Sequence, residues 1–164
     1  MSKQLLIVLL IIAALVQAAE PAATPAKPKV SAKPVFEPKV EWEQNFAAAQ
    51  AQAKKEGKPI LALFTGSDWC PWCIKLQKEV FSKPQFQTYA KENLVLFIAD
   101  FPRSGTQSAG LKTQNQKLQS QYQIEGYPTV VLLKADASVV AKTGYRKGGA
   151  AAYVTHLKSL LDAK

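Results

Sequence analysis

The sequence contains little that could bind a metal ion or staple a fold. It has two cysteines, one histidine and one methionine among 164 residues. A structural zinc site needs four ligands and a disulfide-rich scaffold needs several bridges, so two thiols and the distant His156 fit neither. The longest apolar run, residues 5–16, is shorter than the roughly 20 residues of a membrane-spanning helix. Because metal ligands are so few, we expect no metal centre and no cofactor.

Positive charge dominates the composition without forming a nucleic-acid motif. The chain carries 21 lysines and arginines against 12 acidic residues, a net charge of +9. These cations are scattered, with no run longer than two, and no recognition module for nucleic acid is present. We expect no nucleic-acid partner. A basic surface can still speed encounters with acidic partners or lipid.

Both cysteines lie in the stretch Trp69-Cys70-Pro71-Trp72-Cys73. An apolar run at 60–64 precedes them and 74–81 has a helical pattern, so the pair is predicted to open a helix that follows a strand. Unpaired N–H groups and the positive end of the dipole at a helix N-terminus stabilise a thiolate. A lowered pKa would make Cys70 a nucleophile near neutral pH, with Cys73 on the same turn to resolve a mixed disulfide.

Other interpretations of the cysteine pair compete with redox chemistry. Attachment of a c-type haem requires a histidine directly after the second cysteine, where Ile74 stands, so haem is excluded. Zinc would lack ligands. An inert disulfide would constrain the unfolded chain little, because the loop between the cysteines is so short. The motif favours a redox-active Cys70–Cys73 disulfide.

The first 39 residues have the pattern of an export segment followed by a tether. Lys3 precedes the apolar core, and Val16-Gln17-Ala18 fits the small-x-small pattern of signal peptidase sites, which predicts a signal peptide over 1–19. Residues 20–39, rich in proline, alanine and lysine, are typical of an extended linker. Residues 40–164 suffice for one domain. We expect a cleaved, periplasmic protein; the alternatives are a membrane anchor facing the periplasm, or secretion.

Alternating apolar patterns predict an α/β fold, with a central sheet and helices on both faces. The predicted helices cover 41–56, 74–81, 84–92 and 111–122, and a closing helix contains 150–161. The predicted strands cover 60–64, 94–99, 129–133 and 139–143. Trp42 is expected on the apolar stripe of the first helix.

Two separated motifs occur in a fixed order along the chain. Trp69-Cys70-Pro71-Trp72-Cys73 follows Phe64, and Gly126-Tyr127-Pro128-Thr129 precedes Gly144. This set resembles the thioredoxin superfamily over about residues 42–161. The resemblance implies the thioredoxin fold, a mixed sheet flanked by helices.

Further segments are similar to the exported bacterial members of that superfamily. This group includes the Dsb-type disulfide oxidoreductases, among them the chlamydial DsbH type. The similar segments are Lys58-Pro59-Ile60-Leu61, Thr65-Gly66-Ser67-Asp68-Trp69-Cys70 and Asp100-Phe101-Pro102.

The resemblance also implies roles for residues around the cysteines. It implies a cis peptide bond between Tyr127 and Pro128, in a loop that packs against the cysteines and pairs with an extended substrate segment. Trp69 flanks the site in this family. Trp72, beside Pro71, is expected to be partly exposed and to contact substrate. The alternatives are helix packing for Trp72 and an ordinary strand-start proline for Pro128.

The chain departs from the family pattern in two places. Leu63 occupies the position where cytoplasmic thioredoxins carry a buried aspartate that helps to deprotonate the second cysteine. Lys75 or a water is the candidate substitute. Residues 101–117 lengthen the interval between the cysteines and the proline, and are interpreted either as a solvated loop or as an element that shapes partner choice.

The expected function is thiol–disulfide exchange with exported proteins that carry thiols or disulfides. Pro71 and Trp72 supply no charge to stabilise the thiolate, which favours a reductase or isomerase over a disulfide-forming oxidase. We expect a monomer that exchanges electrons with a membrane or periplasmic partner. The alternatives are the oxidase, a cytochrome-maturation reductant, and a non-catalytic chaperone or Cu(I)-binding module that would lack a histidine near the proline loop.

Overall fold

The computed structural model describes residues 40–104 and 107–163. The predicted signal peptide (1–19) and linker (20–39) lie outside the described residues. Among the residues that are described, no helix combines the length and the apolar character needed to cross a bilayer.

Helices and strands alternate along the described chain. The helices are α1 (Phe46–Glu56), α2 (Pro71–Leu76), α3 (Pro84–Asn93), α4 (Ala109–Gln121) and α5 (Gly149–Asp162). The strands are β1 (Ile60–Thr65), β2 (Val95–Asp100), β3 (Thr129–Leu133) and β4 (Val139–Gly144). Most boundaries lie within one or two residues of the predicted ones, the usual uncertainty at helix and strand ends.

The four strands form one mixed sheet in the order β2-β1-β3-β4. Strand β1 runs parallel to β2 and antiparallel to β3, and β3 and β4 form an antiparallel pair. The parallel pair needs a crossover, which α2 and α3 provide. The predicted α/β architecture is therefore present.

Strand β1 divides the hydrophobic core into two halves. All six of its residues are buried. Because side chains alternate along a strand, Ile60, Ala62 and Phe64 pack with α1 and α4 on one face. Leu61 and Leu63 pack with α3 and α5 on the other. Full burial of a large apolar side chain stabilises the folded state by about 1.5–3 kcal/mol. The helices on both faces of the sheet provide this burial.

Helix α1 begins at Phe46 and not at Glu41, so the predicted start was wrong. The side chain of Asn45 accepts a hydrogen bond from a backbone N–H of the first turn and caps the helix there. Upstream of this cap, Glu43 forms a β-bridge with strand β2. Trp42 therefore lies outside the helix, contrary to the prediction.

The helix that begins after Cys70 changes its pitch. Residues 74–81 are helical, as predicted, but α2 ends at Leu76 and a π-helical turn continues over Gln77–Phe81. This wider turn has two consecutive residues, Val80 and Phe81, buried in the core. Phe81 packs there against Trp42, with ring centroids 5.1 Å apart.

Candidate active site

A short loop connects the end of β1 to the first of the two cysteines. Helix α2 begins directly after Cys70, which serves as its N-cap: the sulfur accepts the Cys73 backbone N–H at 3.3 Å. Pro71 occupies the first helical position, where its missing N–H and fixed φ are favourable. In the structure Cys70 and Cys73 form a disulfide with a Cα–Cα distance of 5.2 Å. Each cysteine is only 4% exposed.

The proline loop lies against this disulfide. The peptide bond between Tyr127 and Pro128 is cis. The carbonyl oxygen of Tyr127 lies 3.6 Å from the sulfur of Cys70, so the structure brings both predicted motifs together. A Cβ on Gly144 would lie 3.0 Å from the Pro128 carbonyl oxygen, which explains why a glycine suits that position.

Trp69 forms one side of the site. Its indole Nε1–H donates to the Phe101 carbonyl at 2.8 Å, and its ring meets that of Tyr127 edge-on at a centroid distance of 5.9 Å. The indole lies directly over Gly66, where a Cβ would approach Nε1 to 2.6 Å. The guanidinium carbon of Arg103 lies 4.0 Å from the Trp69 ring centroid, a close cation–π contact.

Trp72 lies on the other side and is 53% exposed. Its ring packs against Tyr145 at 5.2 Å, and the ammonium of Lys75 lies over both rings. Tyr145 also donates its hydroxyl hydrogen to Glu79 at 2.7 Å. Lys75, the candidate proton acceptor for Cys73, thus belongs to a surface cluster of aromatic and charged side chains.

Two carboxylates tie the loop before Cys70 to the chain after β2. Asp100, at the end of β2, accepts hydrogen bonds from the backbone N–H and the hydroxyl of Ser67, at 2.9 and 2.6 Å. In return, Asp68 accepts from the backbone N–H groups of Arg103 and Ser104, at 3.1 and 2.7 Å, and from the Ser104 hydroxyl. We call Ser67, Asp68, Asp100 and Ser104 the reciprocal clamp.

The clamp affects the titration of Asp68. Hydrogen bonds to its ionised form lower the pKa of Asp68 to about 2. The bond from the Ser104 side chain has the largest effect. Sequence reasoning did not connect Asp68 with Ser104, or Asp100 with Ser67. The available signal was the presence of one aspartate in each of two segments similar to the exported family members, but each bond joins residues 33 or more positions apart.

The insertion at 101–117 is only partly a loop. Its second part belongs to α4, which begins at Ala109. Asn115 on that helix is 1% exposed and donates from Nδ2 to the Asp100 backbone carbonyl at 3.0 Å. The insertion is therefore anchored at the end of β2, next to the clamp.

His156 does not lie with the cysteines in a ligand cluster. Its Nε2 is 3.0 Å from the Thr143 hydroxyl on β4, and burial lowers its pKa. Across 40–104 and 107–163, no three or more histidine, cysteine or acidic side chains come together as a metal site.

Comparison with known proteins identifies the family. The family model described as "Thioredoxin-like domain" matches residues 46–157. The chain belongs to the thioredoxin-like family. The thioredoxin fold implied by the sequence motifs is thereby confirmed, as is the resemblance to DsbH-type proteins.

Named relatives of this thioredoxin-like chain are proteins of disulfide exchange by their names. It is 37% identical over 132 residues to "Disulfide bond reductase DsbH" of Chlamydia pneumoniae, covering 80% of this chain and 79% of that protein. A solved structure, "DsbH Oxidoreductase", superimposes with a TM-score of 0.76 at 34% identity, covering 85% of this chain and 96% of the other.

A more distant relative is "Thiol:disulfide interchange protein DsbD" of Klebsiella pneumoniae. It is 30% identical over 112 residues, which cover 66% of this chain but only 17% of that protein. With the cysteine pair in place, these relationships show that the thioredoxin-like chain is a thiol–disulfide oxidoreductase.

Proposed function

We propose that the protein is an exported disulfide reductase in which Cys70 attacks the substrate and Cys73 resolves the intermediate. The arrangement of Cys70 carries this proposal: its sulfur caps α2 and lies 3.6 Å from the Tyr127 carbonyl of the proline loop. The N–H groups and dipole of the helix end stabilise a thiolate at this position. Cys73 comes later on the same turn and is within bonding distance.

The reaction transfers two electrons in two exchanges. The Cys70 thiolate attacks one sulfur of a substrate disulfide, forming a mixed disulfide and expelling the other substrate sulfur as a thiolate. The Cys73 thiolate then attacks the Cys70 sulfur. This step closes the Cys70–Cys73 disulfide and releases the second substrate thiolate, and solvent protonates both products. A dithiol protein must afterwards return two electrons to the pair.

The substrate is proposed to be a polypeptide of the exported compartment. Its extended segment would pair with the backbone of Tyr127 beside Pro128, in the manner of an added β-strand. Trp69 and Trp72 stand on the two sides of the cysteines, and Pro71 lies between them on the exposed surface. The path of that segment would be lined by the side chains of Trp69, Pro71, Trp72, Tyr127 and Pro128.

The composition of the active-site turn supports the reducing direction. Pro71 and Trp72 carry no charge, so nothing between the cysteines favours the thiolate over the disulfide as a histidine would. The name of the DsbH relative, a disulfide bond reductase, points the same way. Equilibration with dithiothreitol or glutathione tests the direction: a potential near −270 mV supports a reductase, and one near −120 mV would make the protein an oxidase.

A trapping experiment tests the two cysteine roles. In Cys73→Ser the mixed disulfide cannot be resolved, so substrate polypeptides should accumulate on Cys70 as adducts on non-reducing gels. Cys70→Ser, the matched control, should accumulate none because it lacks the attacking sulfur. Thiol-sensitive adducts on Cys70→Ser, or none on Cys73→Ser, would contradict this assignment.

We place the protein in the periplasm, after cleavage of a signal peptide over 1–19, with 20–39 as a tether. The sequence pattern of the leader supports this location, and the relationship to DsbD and DsbH supports a membrane or periplasmic dithiol partner. Cell fractionation with N-terminal sequencing of the mature chain tests the location. A cytoplasmic protein that begins at Met1 would contradict it.

A further inference from the structure

The reciprocal clamp joins two loops that border Cys70. One loop, 66–69, leads from β1 to the cysteine; the other, 101–104, follows β2. Each loop contributes one aspartate-bonded serine, and the Asp68 carboxylate also accepts two backbone N–H groups of the second loop. The pairing of β1 with β2 places these loops next to each other. Five hydrogen bonds to the two carboxylates then hold one loop against the other.

Trp69 and Arg103 both adjoin the clamp. Asp68 immediately precedes Trp69, and the backbone N–H of Arg103 is one of its donors. The Phe101 carbonyl, in the same second loop, accepts the Trp69 indole N–H at 2.8 Å. The Arg103 guanidinium then covers the indole face at 4.0 Å. Loop 101–104 and Trp69 thus form one wall, here called the Trp69–Arg103 wall.

The wall borders a recessed sulfur. Cys70 is 4% exposed, so a partner can reach it only past the side chains that surround it. On this side the wall continues into the proline loop through the edge contact between Trp69 and Tyr127. We expect a small disulfide to approach the sulfur with little contact to the wall, and a polypeptide that lies along Tyr127 to pass over the wall.

We propose that loop 101–104 is a specificity element for polypeptide substrates, held by the Asp68–Ser104 and Asp100–Ser67 contacts so that Trp69 and Arg103 form a fixed docking wall beside Cys70. This inference rests on the proposed function and deepens it. Asp68 and Ser104 are positioning residues, whereas Trp69 and Arg103 contact the substrate chain. The Arg103 guanidinium, which covers the indole face, offers N–H donors to the carbonyl groups of an extended segment.

Ser104→Ala tests the inference because it removes one clamp donor without changing charge. The probes are insulin, as a polypeptide disulfide, and 5,5′-dithiobis(2-nitrobenzoate), as a small one. We expect the ratio of kcat/KM for insulin to that for the small disulfide to fall about twofold to tenfold, mainly through KM. Ser104→Thr retains the hydroxyl and should restore the ratio.

Ser138→Ala is the matched control. Ser138 also donates its hydroxyl hydrogen and its backbone N–H to one aspartate, Asp136, at 2.7 and 2.9 Å, in the turn between β3 and β4. It should leave the ratio unchanged. An unchanged ratio in Ser104→Ala, an equal loss on both probes, or an equal fall in Ser138→Ala would overturn the inference.

Hydrogen exchange of the Trp69 indole N–H separates this inference from the proposed function. Exchange should be faster in Ser104→Ala than in the wild type, whatever the enzymatic activity, because the wall loosens. Equal exchange rates would overturn the inference even if the protein reduces both probes. A wild type that reduces neither probe would overturn the proposed reductase, and the docking role with it.

Discussion

Replacing Gly66 by alanine should displace Trp69 from its place beside the active site. The new Cβ would lie 2.6 Å from Nε1 and 2.7 Å from Cζ2 of the indole, well inside van der Waals contact. The ring must move by about 1 Å to reach a normal separation. This shift would weaken or break its 2.8 Å hydrogen bond to the Phe101 carbonyl.

The cost of this displacement can be worked out from its parts. Overpacking of this kind costs about 1–3 kcal/mol, and loss of the hydrogen bond about 1 kcal/mol. Alanine returns about 0.4–1 kcal/mol by restricting the unfolded chain. The free energy of unfolding should therefore fall by about 1–3.6 kcal/mol. For a domain of about 120 residues this lowers Tm by about 4–14 °C.

Urea unfolding of the oxidised protein, followed by tryptophan fluorescence, measures this change. Gly110→Ala is the control: Gly110 lies in α4, and a Cβ there meets no atom within 4 Å. Alanine in a helix should stabilise the fold by up to about 1 kcal/mol. If Gly66→Ala unfolds at the wild-type urea concentration and its Trp69 indole proton does not shift, the indole is not held against Gly66.

Two further predictions concern the residues that fix this region. The pKa of Asp68 is lowered from 3.8 to about 2, so its stabilising contribution is complete above pH 3.8 and is lost as pH falls through about 2. Carboxyl NMR titration should show this midpoint, and Ser104→Ala should raise it; an unshifted midpoint would contradict the assigned cause. Asn115→Ala removes a buried donor to the Asp100 carbonyl and should cost about 1–3 kcal/mol in urea unfolding. Gln116→Ala, on the exposed side of the same helix, should change stability by less than about 0.5 kcal/mol, and equal effects of the two variants would refute a special role for Asn115.

The chemistry and most of the sheet could be predicted because their signals are local. Cys70 and Cys73 lie three positions apart at the start of a helix, so sequence spacing alone brings them together. The run 60–64 is wholly apolar, and a strand buried on both faces is the structure that such a run favours. The proline loop could be placed beside the cysteines only by resemblance, since nothing local links residues 70 and 127.

Neither the clamp nor the start of α1 could be predicted, and the physical reason differs between the two. Bonds such as Asp68–Ser104 join exposed polar residues far apart in the chain, and polarity alone is equally typical of solvated loops. Residues 41–45 continue the apolar spacing of the helix, so periodicity extends it too far. Two residues set the start of the helix. The side chain of Asn45 caps the first turn, and the backbone of Glu43 bonds to β2 instead of to the helix.

The depth of Cys70 has a consequence for the conformation of its reaction partners. Because Cys70 as a residue is only 4% exposed, we expect its sulfur to be poorly reached by a disulfide lying flat on, or beneath, the surface of a rigid globular protein. In-line attack requires the target disulfide to protrude on a pliable stretch of chain that can enter the recess. We therefore expect enclosed cystines of mature proteins to react slowly, and those of incompletely folded or locally opened chains to react faster. Such a recess would select targets by the plasticity of the chain around the disulfide.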